Sequence, residues 1–205
     1  MKVIGVTGSF GSGKTTVSKI LKNLGAVVLN ADKITHGVLA NVKVRKKILA
    51  IFGKGILGKN KKINRRYLGE AAFKNKLLLA KLCKIIHPPV IQRMKSQIKH
   101  LRSKRPDVIV VMDAPLLIEA GLSNMVDKLI VVTVNRDLQI KRCKKSTGLD
   151  KKNILTRIKI QMPIKEKIRF SDFIIDNSGT EERTKRKVKR IWEQIQRQTV
   201  QKKRI

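Results

Sequence analysis

The run Gly8-Ser9-Phe10-Gly11-Ser12-Gly13-Lys14-Thr15 constrains this chain more than any other stretch. It matches the spacing G-x-x-x-x-G-K-[ST] at every defined position. A loop of this kind folds back so that successive backbone N–H groups point inward at phosphate oxygens. Gly8, Gly11 and Gly13 permit the backbone angles and the close approach that this needs. Lys14 is spaced to reach the β- and γ-phosphates, and the Thr15 hydroxyl to ligate Mg²⁺. A helix opening there adds its N-terminal dipole. Thr16 either contributes a hydroxyl near the α-phosphate or is an ordinary first-turn threonine. The flanks agree with a phosphate loop. The β-type run Val3–Thr7 precedes it, and Val17, Ile20, Leu21 and Leu24 follow at helical spacing, with Gly25 as the stop.

Further along, Ala26–Leu29, Val108–Met112, Leu129–Val134 and Phe173–Ile175 are short apolar runs bounded by turn or polar residues. Helical patterns lie between them, including one after Asn135 and an amphipathic C-terminal helix marked by Val188, Ile191, Trp192 and Ile195. Strands alternating with helices predict βαβ units and a parallel sheet covered on both faces. Nearly 80 residues separate the second strand from the third. Within this insertion, Ile48, Leu49, Ile51 and Phe52 read as a helix closed at Gly53, and Gly53–Ile63 reads as a mobile loop rich in glycine and lysine. A helix containing Leu77, Leu78, Leu82 and Ile85 is expected to end at His87-Pro88-Pro89.

The net charge of +34 is unusual for 205 residues. Residues 41–105 carry 20 basic residues and a single acid, Glu70, so anionic partners are natural for the insertion. Lysine supplies 33 of the 48 basic residues, which fits a drift toward lysine better than a dedicated phosphate-reading surface rich in arginine. Fourteen acids cannot pair 48 bases, so an ion-pair network of the thermophile kind has little support. A hydrophobic fraction of 41% is enough for a real core. No apolar run approaches the roughly 18 residues of a membrane span. Val3-Ile4-Gly5-Val6 is too short and too quickly interrupted for a secretory leader. Cys83 and Cys143 are far apart with no C-x-x-C spacing, which points to buried structural thiols in a reducing, cytoplasmic setting.

A phosphate loop does not identify the phosphoryl acceptor. The guanine-reading pattern N-K-x-D is absent. Asn30-Ala31-Asp32 places a carboxylate where ligands bind, at the carboxyl end of the second strand. Asp32 could take a proton from an acceptor hydroxyl, hold Mg²⁺ through water, or cap a helix starting at Lys33, and spacing alone fits each role.

Together with other runs, these residues resemble the dephospho-CoA kinase family. The resemblance rests on Gly5-Val6-Thr7-Gly8 through Thr16; Ala31-Asp32; Asn64-Arg65 with Leu68; His87-Pro88; Asp113-Ala114-Pro115-Leu116-Leu117-Ile118-Glu119; Gln139 with Arg142; and Gln161-Met162-Pro163, Lys167 and Asp172 through Gly179. The motifs arrive in order over residues 3–180. Only the phosphate loop is widely shared.

The resemblance implies a doubly wound α/β P-loop kinase core with a helical substrate-binding insertion and a short lid. The whole chain, 1–205, would be one such domain, with core 1–30 and 107–205, helical subdomain 31–106 and lid 139–168. It implies transfer of the ATP γ-phosphoryl to the 3′-hydroxyl of dephospho-CoA, the last step of coenzyme A biosynthesis, with Mg²⁺ as cofactor. Asp32 matches the family's base, Arg142 a lid arginine over the phosphates, and Asn177 and Gly179 the loop beside adenine. Gly8, Gly11, Ser12, Gly13, Lys14, Thr15 and Thr16 would hold ATP. His36, Arg65, His87 and Asp113 would line the substrate site, with a magnesium role for Asp113 also open. Asp113 also suits a turn cap before Pro115, Arg142 a solvated helix face, His87 a helix cap, and Asn177-Gly179 a plain turn. Three positions depart from the family pattern: Asn30 stands for an aspartate, His36 for an arginine and Ser146 for a second lid arginine, for which Lys144 or Lys145 could substitute. A kinase of nucleosides or nucleoside monophosphates shares the core, and an RNA-binding P-loop protein fits the charge. Aromatics at 3% and the lack of a base-stacking motif argue against specific nucleic-acid binding. A monomer or weak homo-oligomer without membrane attachment is expected.

Overall fold

The computed structural model describes residues 1–73 and 75–201, with side chains through 197; positions 202–205 of the expected core fall outside it. Five strands form the sheet: β1 (Lys2–Gly8), β2 (Val27–Asn30), β3 (Ile109–Asp113), β4 (Lys128–Thr133) and β5 (Phe173–Asp176). Their order is β2-β3-β1-β4-β5, and every neighbouring pair is parallel. Nine helices accompany them among the described residues. They are α1 (Lys14–Asn23), α2 (Ala31–Leu39), α3 (Val42–Phe52), α4 (Arg65–Phe73), α5 (Lys76–Lys104), α6 (Arg136–Thr147), α7 (Lys151–Ile160), α8 (Ile164–Arg169) and α9 (Glu181–Gln201).

The five expected apolar runs are the five strands, shifted by at most one residue at their ends. They lack strict alternation because both faces are covered. On one face Ile4, Val6, Ile109, Val111, Ile130, Val132 and Ile175 pack with Val17 and Leu21 of α1 and with Val188, Ile191, Trp192 and Ile195 of α9. The intervening residues Val110, Met112, Leu129 and Val131 are buried as well. Each such aliphatic side chain contributes about 1.5–3 kcal/mol on burial. The connection leaving β1 travels to one side of the sheet and the connection leaving β3 to the other. The carboxyl ends of β1 and β3 therefore flank the switch point where open α/β sheets bind ligands.

Two compact units make up the chain: Met1–Asn30 with Ile98–Ile205, and Ala31–Gln97. The second is helical and ends inside α5. That helix corrects the expected stop at His87-Pro88-Pro89, since it runs through both prolines as 29 continuous residues. Each interior proline removes an N–H donor at a cost of about 3 kcal/mol. A buried stripe at every fourth residue, Val90, Met94 and Ile98 continuing from Leu82, offsets that cost on either side of the break. The segment 53–63 is also more ordered than its composition suggests. A short helical turn, Lys54–Ile56, buries Ile56, Leu57 bridges Ile63, and Arg45 Nη2 donates to the Lys61 carbonyl at 2.7 Å. Among the described residues no helix is long and apolar enough to cross a membrane.

Asp172 clasps the starts of β4 and β5. Its carboxylate accepts from Lys128 Nζ at 2.6 Å and from the Leu129 N–H at 2.8 Å. Partial burial pushes its pKa up, but the Lys128 hydrogen bond, the Leu129 amide and the Lys128 charge pull harder, and the net direction is down. A carboxyl lowered in the folded state stabilises the fold above its unfolded pKa, and that contribution is lost as pH falls through the folded value. Asp172→Asn should therefore melt below wild type at neutral pH, and the gap should close below about pH 4. A gap that persists in acid contradicts this.

Candidate active site

The phosphate loop lies between β1 and α1. Gly11 and Gly13 adopt left-handed backbone angles, with φ of 76° and 85°. A β-carbon would also collide with Cys143 Sγ at Gly11 and with Asn177 Nδ2 at Gly13. Glycine is required at both on two independent grounds. Helices α3, α6 and α7 begin with side-chain caps from Asn41, Asn135 and Asp150. Helix α1 has no such cap and no acid in its first turn. Its N-terminus is left to a ligand, and an anion suits both its N–H groups and its dipole.

The Ser12 N–H donates to the Ser9 carbonyl within the loop at 3.0 Å, and three carboxamides brace the loop from outside. Gln139 of α6 donates through Nε2 to Ser9 Oγ at 3.1 Å and to the Phe10 carbonyl at 2.6 Å. The Phe10 N–H donates to Gln161 Oε1, after α7, at 2.7 Å. Asn177, just past β5, donates through Nδ2 to the Ser12 carbonyl at 3.0 Å and accepts from Thr184 Oγ1 at 3.0 Å. Arg142 of α6 donates to the Asn177 carbonyl at 2.8 Å, which sets a guanidinium beside Gly13. Arg157 lies over the Phe10 ring, 5.7 Å from its centroid.

At the end of β3, Asp113 is 2% exposed. Its Oδ2 accepts from Asn30 Nδ2 at 2.9 Å, and its Oδ1 stands 3.7 Å from Lys14 Nζ. That Oδ1 is buried and makes no hydrogen bond to any described residue. An orphaned carboxylate oxygen beside the loop lysine fits a hard cation. Mg²⁺ takes one or two protein ligands and completes its shell with phosphates and water, so this oxygen and the Thr15 hydroxyl would suffice as its protein ligands. No cluster of three or more His, Cys, Asp or Glu side chains is present among the described residues.

Next to this pair lies a fully buried ammonium. Lys167 of α8 donates to the Pro115 carbonyl at 2.7 Å and pairs with Glu119 at 2.9 Å. Burial pushes its pKa down, Glu119 lifts it, Lys14 depresses it, and the net result is below an ordinary lysine. Thr7 Oγ1 donates to the same Pro115 carbonyl, and the Met162 N–H to Glu119. Burial raises the thiols of Cys83 and Cys143, as expected for structural cysteines.

The structure thus gathers Gly8, Gly11, Ser12, Gly13, Lys14, Arg142, Asn177 and Asp113 in the unit containing the sheet. Thr15 is exposed and Thr16 half-buried in the first turn of α1, and Gly179 precedes α9. The other named residues belong to the helical unit. Asp32 is exposed in the first turn of α2, where its charge favours the helix dipole; α2 starts at Ala31, so Asp32 is not its N-cap. His36 is exposed one turn later, Arg65 is exposed at the start of α4, and His87 is half-buried within α5. Reasoning from sequence assigned no role to Gln139, Gln161, Glu119 or Lys167. All four stand inside the motif runs, which was the available signal.

Residues 2–183 match the family model described as dephospho-CoA kinase. The dephospho-CoA kinase of Carboxydothermus hydrogenoformans is 39% identical over 92% of this chain and 91% of its own. That of Geobacter sulfurreducens is 38% identical over 94% and 98%. The solved structure of the dephospho-CoA kinase from Campylobacter jejuni superimposes with a TM-score of 0.69 at 29% identity, covering 96% of this chain and 98% of the other.

The bracing makes a prediction of its own. Asn177→Ala deletes two buried hydrogen bonds, at about 1–3 kcal/mol each for partners left unsatisfied. Chemical denaturation should show that loss, and titration with ADP should show affinity reduced about tenfold or more. Unchanged ADP affinity in a destabilised but folded variant would remove Asn177 from the loop's support.

Proposed function

The chain belongs to the dephospho-CoA kinase family, and we propose a division of labour among its residues for the family's reaction. It transfers the ATP γ-phosphoryl to the ribose 3′-hydroxyl of dephospho-CoA, giving CoA and ADP. The observation that carries this reading is the match of residues 2–183 to one family model, which covers the phosphate loop and every motif after it.

In this proposal the loop amides from Gly11 to Thr16 receive the β- and γ-phosphates, with the Thr16 hydroxyl near the α-phosphate. Lys14 follows the γ-phosphoryl group as its charge redistributes. Arg142, resting on the Asn177 carbonyl, is a second cation at the same place. Phosphoryl transfer asks little covalent chemistry of the protein, so preorganised cations of this kind usually lower the barrier more than any other device. Asn177 and Gly179 take the adenine side. Thr15 and Asp113 would hold Mg²⁺, which would offset the negative charge of the phosphates. Asp32 accepts the proton of the 3′-hydroxyl as O3′ bonds to the γ-phosphorus and the bond to the β,γ-bridging oxygen breaks. His36, Arg65 and His87 contact the acceptor, with 31–106 as its subdomain and 139–168 as a lid that excludes water. The two cysteines are reduced in a cytoplasmic enzyme that works as a monomer or weak homo-oligomer.

The test offers ATP and Mg²⁺ with dephospho-CoA, adenosine or AMP as acceptor and identifies products by mass. CoA should form and the other acceptors should be poor. Asp32→Asn should cut kcat by about 10²–10⁴, and Lys14→Ala by about 10²–10³. Near-normal turnover in Asp32→Asn would sink the base role, and preferential phosphorylation of AMP or adenosine would sink the acceptor.

A further inference from the structure

Asn30 and Asp113 end β2 and β3 and are cross-strand partners in register. Their side chains meet at the carboxyl edge of the sheet, Nδ2 to Oδ2 at 2.9 Å. A carboxylate only accepts, so the atom of Asn30 that faces it is the N–H₂ group. The consequence appears at the other oxygen. Asp113 Oδ1 and Lys14 Nζ are 3.7 Å apart, well beyond the 2.7–2.9 Å or so of a charge-assisted hydrogen bond. Opposite charges this close, one buried and the other half-buried, would ordinarily close to contact. The amide anchors the carboxylate from behind and leaves Oδ1 buried and unsatisfied.

We propose that Asn30 is a positioning residue that holds Asp113 away from Lys14, so that Oδ1 stays available to the divalent cation and Lys14 to the phosphates. The inference rests on the family reading above and adds to it a role for a residue that departs from the family's pattern. Without the amide, Asp113 collapses onto Lys14, and one tight ion pair uses up both groups. An aspartate at position 30 would face Asp113 with a second carboxylate, and two carboxylates this close cannot both stay charged without a shared proton or a cation. Asparagine donates without that conflict. Lys14 is the charged group seen to face Asp113 from α1. Lys167 of α8 stands nearby on the Pro115 carbonyl.

Mn²⁺ serves as the probe, its binding read by electron paramagnetic resonance with ADP present, alongside calorimetric titration of ADP with no metal. Asn30→Leu keeps the shape and deletes the donor. Mn²⁺ binding to the ADP complex should weaken about 10–100-fold, the usual effect of removing a residue that orients a metal ligand, and metal-free ADP binding, which loses only the Lys14 contact, should weaken by less than about tenfold. In an Asp113→Asn background the same change should add no further loss. Asn30→Ser, smaller at the sheet edge, repeats the measurement if the leucine variant does not fold. Equal losses with and without metal, no loss at all, or an additive loss in the Asp113→Asn background each overturn the proposal. A wild type that makes CoA but fails these tests overturns only the role of Asn30. A wild type that makes no CoA overturns the family reading instead.

Discussion

The phosphate loop depends on hydrogen bonds that do not belong to its own backbone. The loop between Gly8, which ends β1, and Lys14, which opens α1, must keep some of its N–H groups for a ligand, although those of Phe10 and Ser12 are spent on Gln161 and on the Ser9 carbonyl. The loop is tied down instead by Gln139, Gln161 and Asn177, chiefly through its carbonyls and side chains. Each brace comes from a different place in the fold: α6, the α7–α8 connection and the turn after β5. The parallel sheet brings these places to one edge, because all five strands run the same way and leave from the same side. The absence of β-carbons at Gly11 and Gly13 then leaves Cys143 and Asn177 room to approach the loop.

The same edge concentrates the charge that matters. Among the described residues, Lys14, Arg142 and Arg157 stand at the loop: the first faces Asp113, the second rests on a carbonyl beside Gly13 and the third lies over the Phe10 ring. The remaining excess lies largely on the surface. Much of it sits in 41–105, where a dense cationic field favours the approach of anionic nucleotides in general. The buried Lys167 does different work. It joins α8 to the turn after β3 and, through Pro115, to Thr7 on β1, so α8 and the strand carrying the loop share one carbonyl.

Much of the fold was legible in the sequence because its signals are local. Apolar runs of three to six residues, separated by helical periodicity, announce a parallel sheet whatever the tertiary details. The glycine-lysine-threonine run announces the loop. Helix α5 was misread at Pro88-Pro89 because proline is a local stop signal, while the buried stripe that carries the helix past it is a tertiary fact. The braces were invisible for the same reason. Gln139 and Ser9 are 130 residues apart, and Asn177 and Ser12 are 165 apart. No spacing rule links them. Asn30 could be seen to differ from the family pattern, but its partnership with Asp113 needs the register of two strands separated by 78 residues of chain. The roles of Asp32, His36, Arg65 and His87 come from resemblance: the first three are exposed and His87 is half-buried on their helices, and position on a helix names no chemistry.

The most direct measurement follows phosphorus. With the wild-type protein, ATP, Mg²⁺ and dephospho-CoA, ³¹P NMR should show the γ-phosphorus signal of ATP replaced by a ribose 3′-monoester on CoA, with ADP formed in equal amount. A γ-phosphorus that appears as inorganic phosphate, or on a nucleotide other than CoA, would contradict the account.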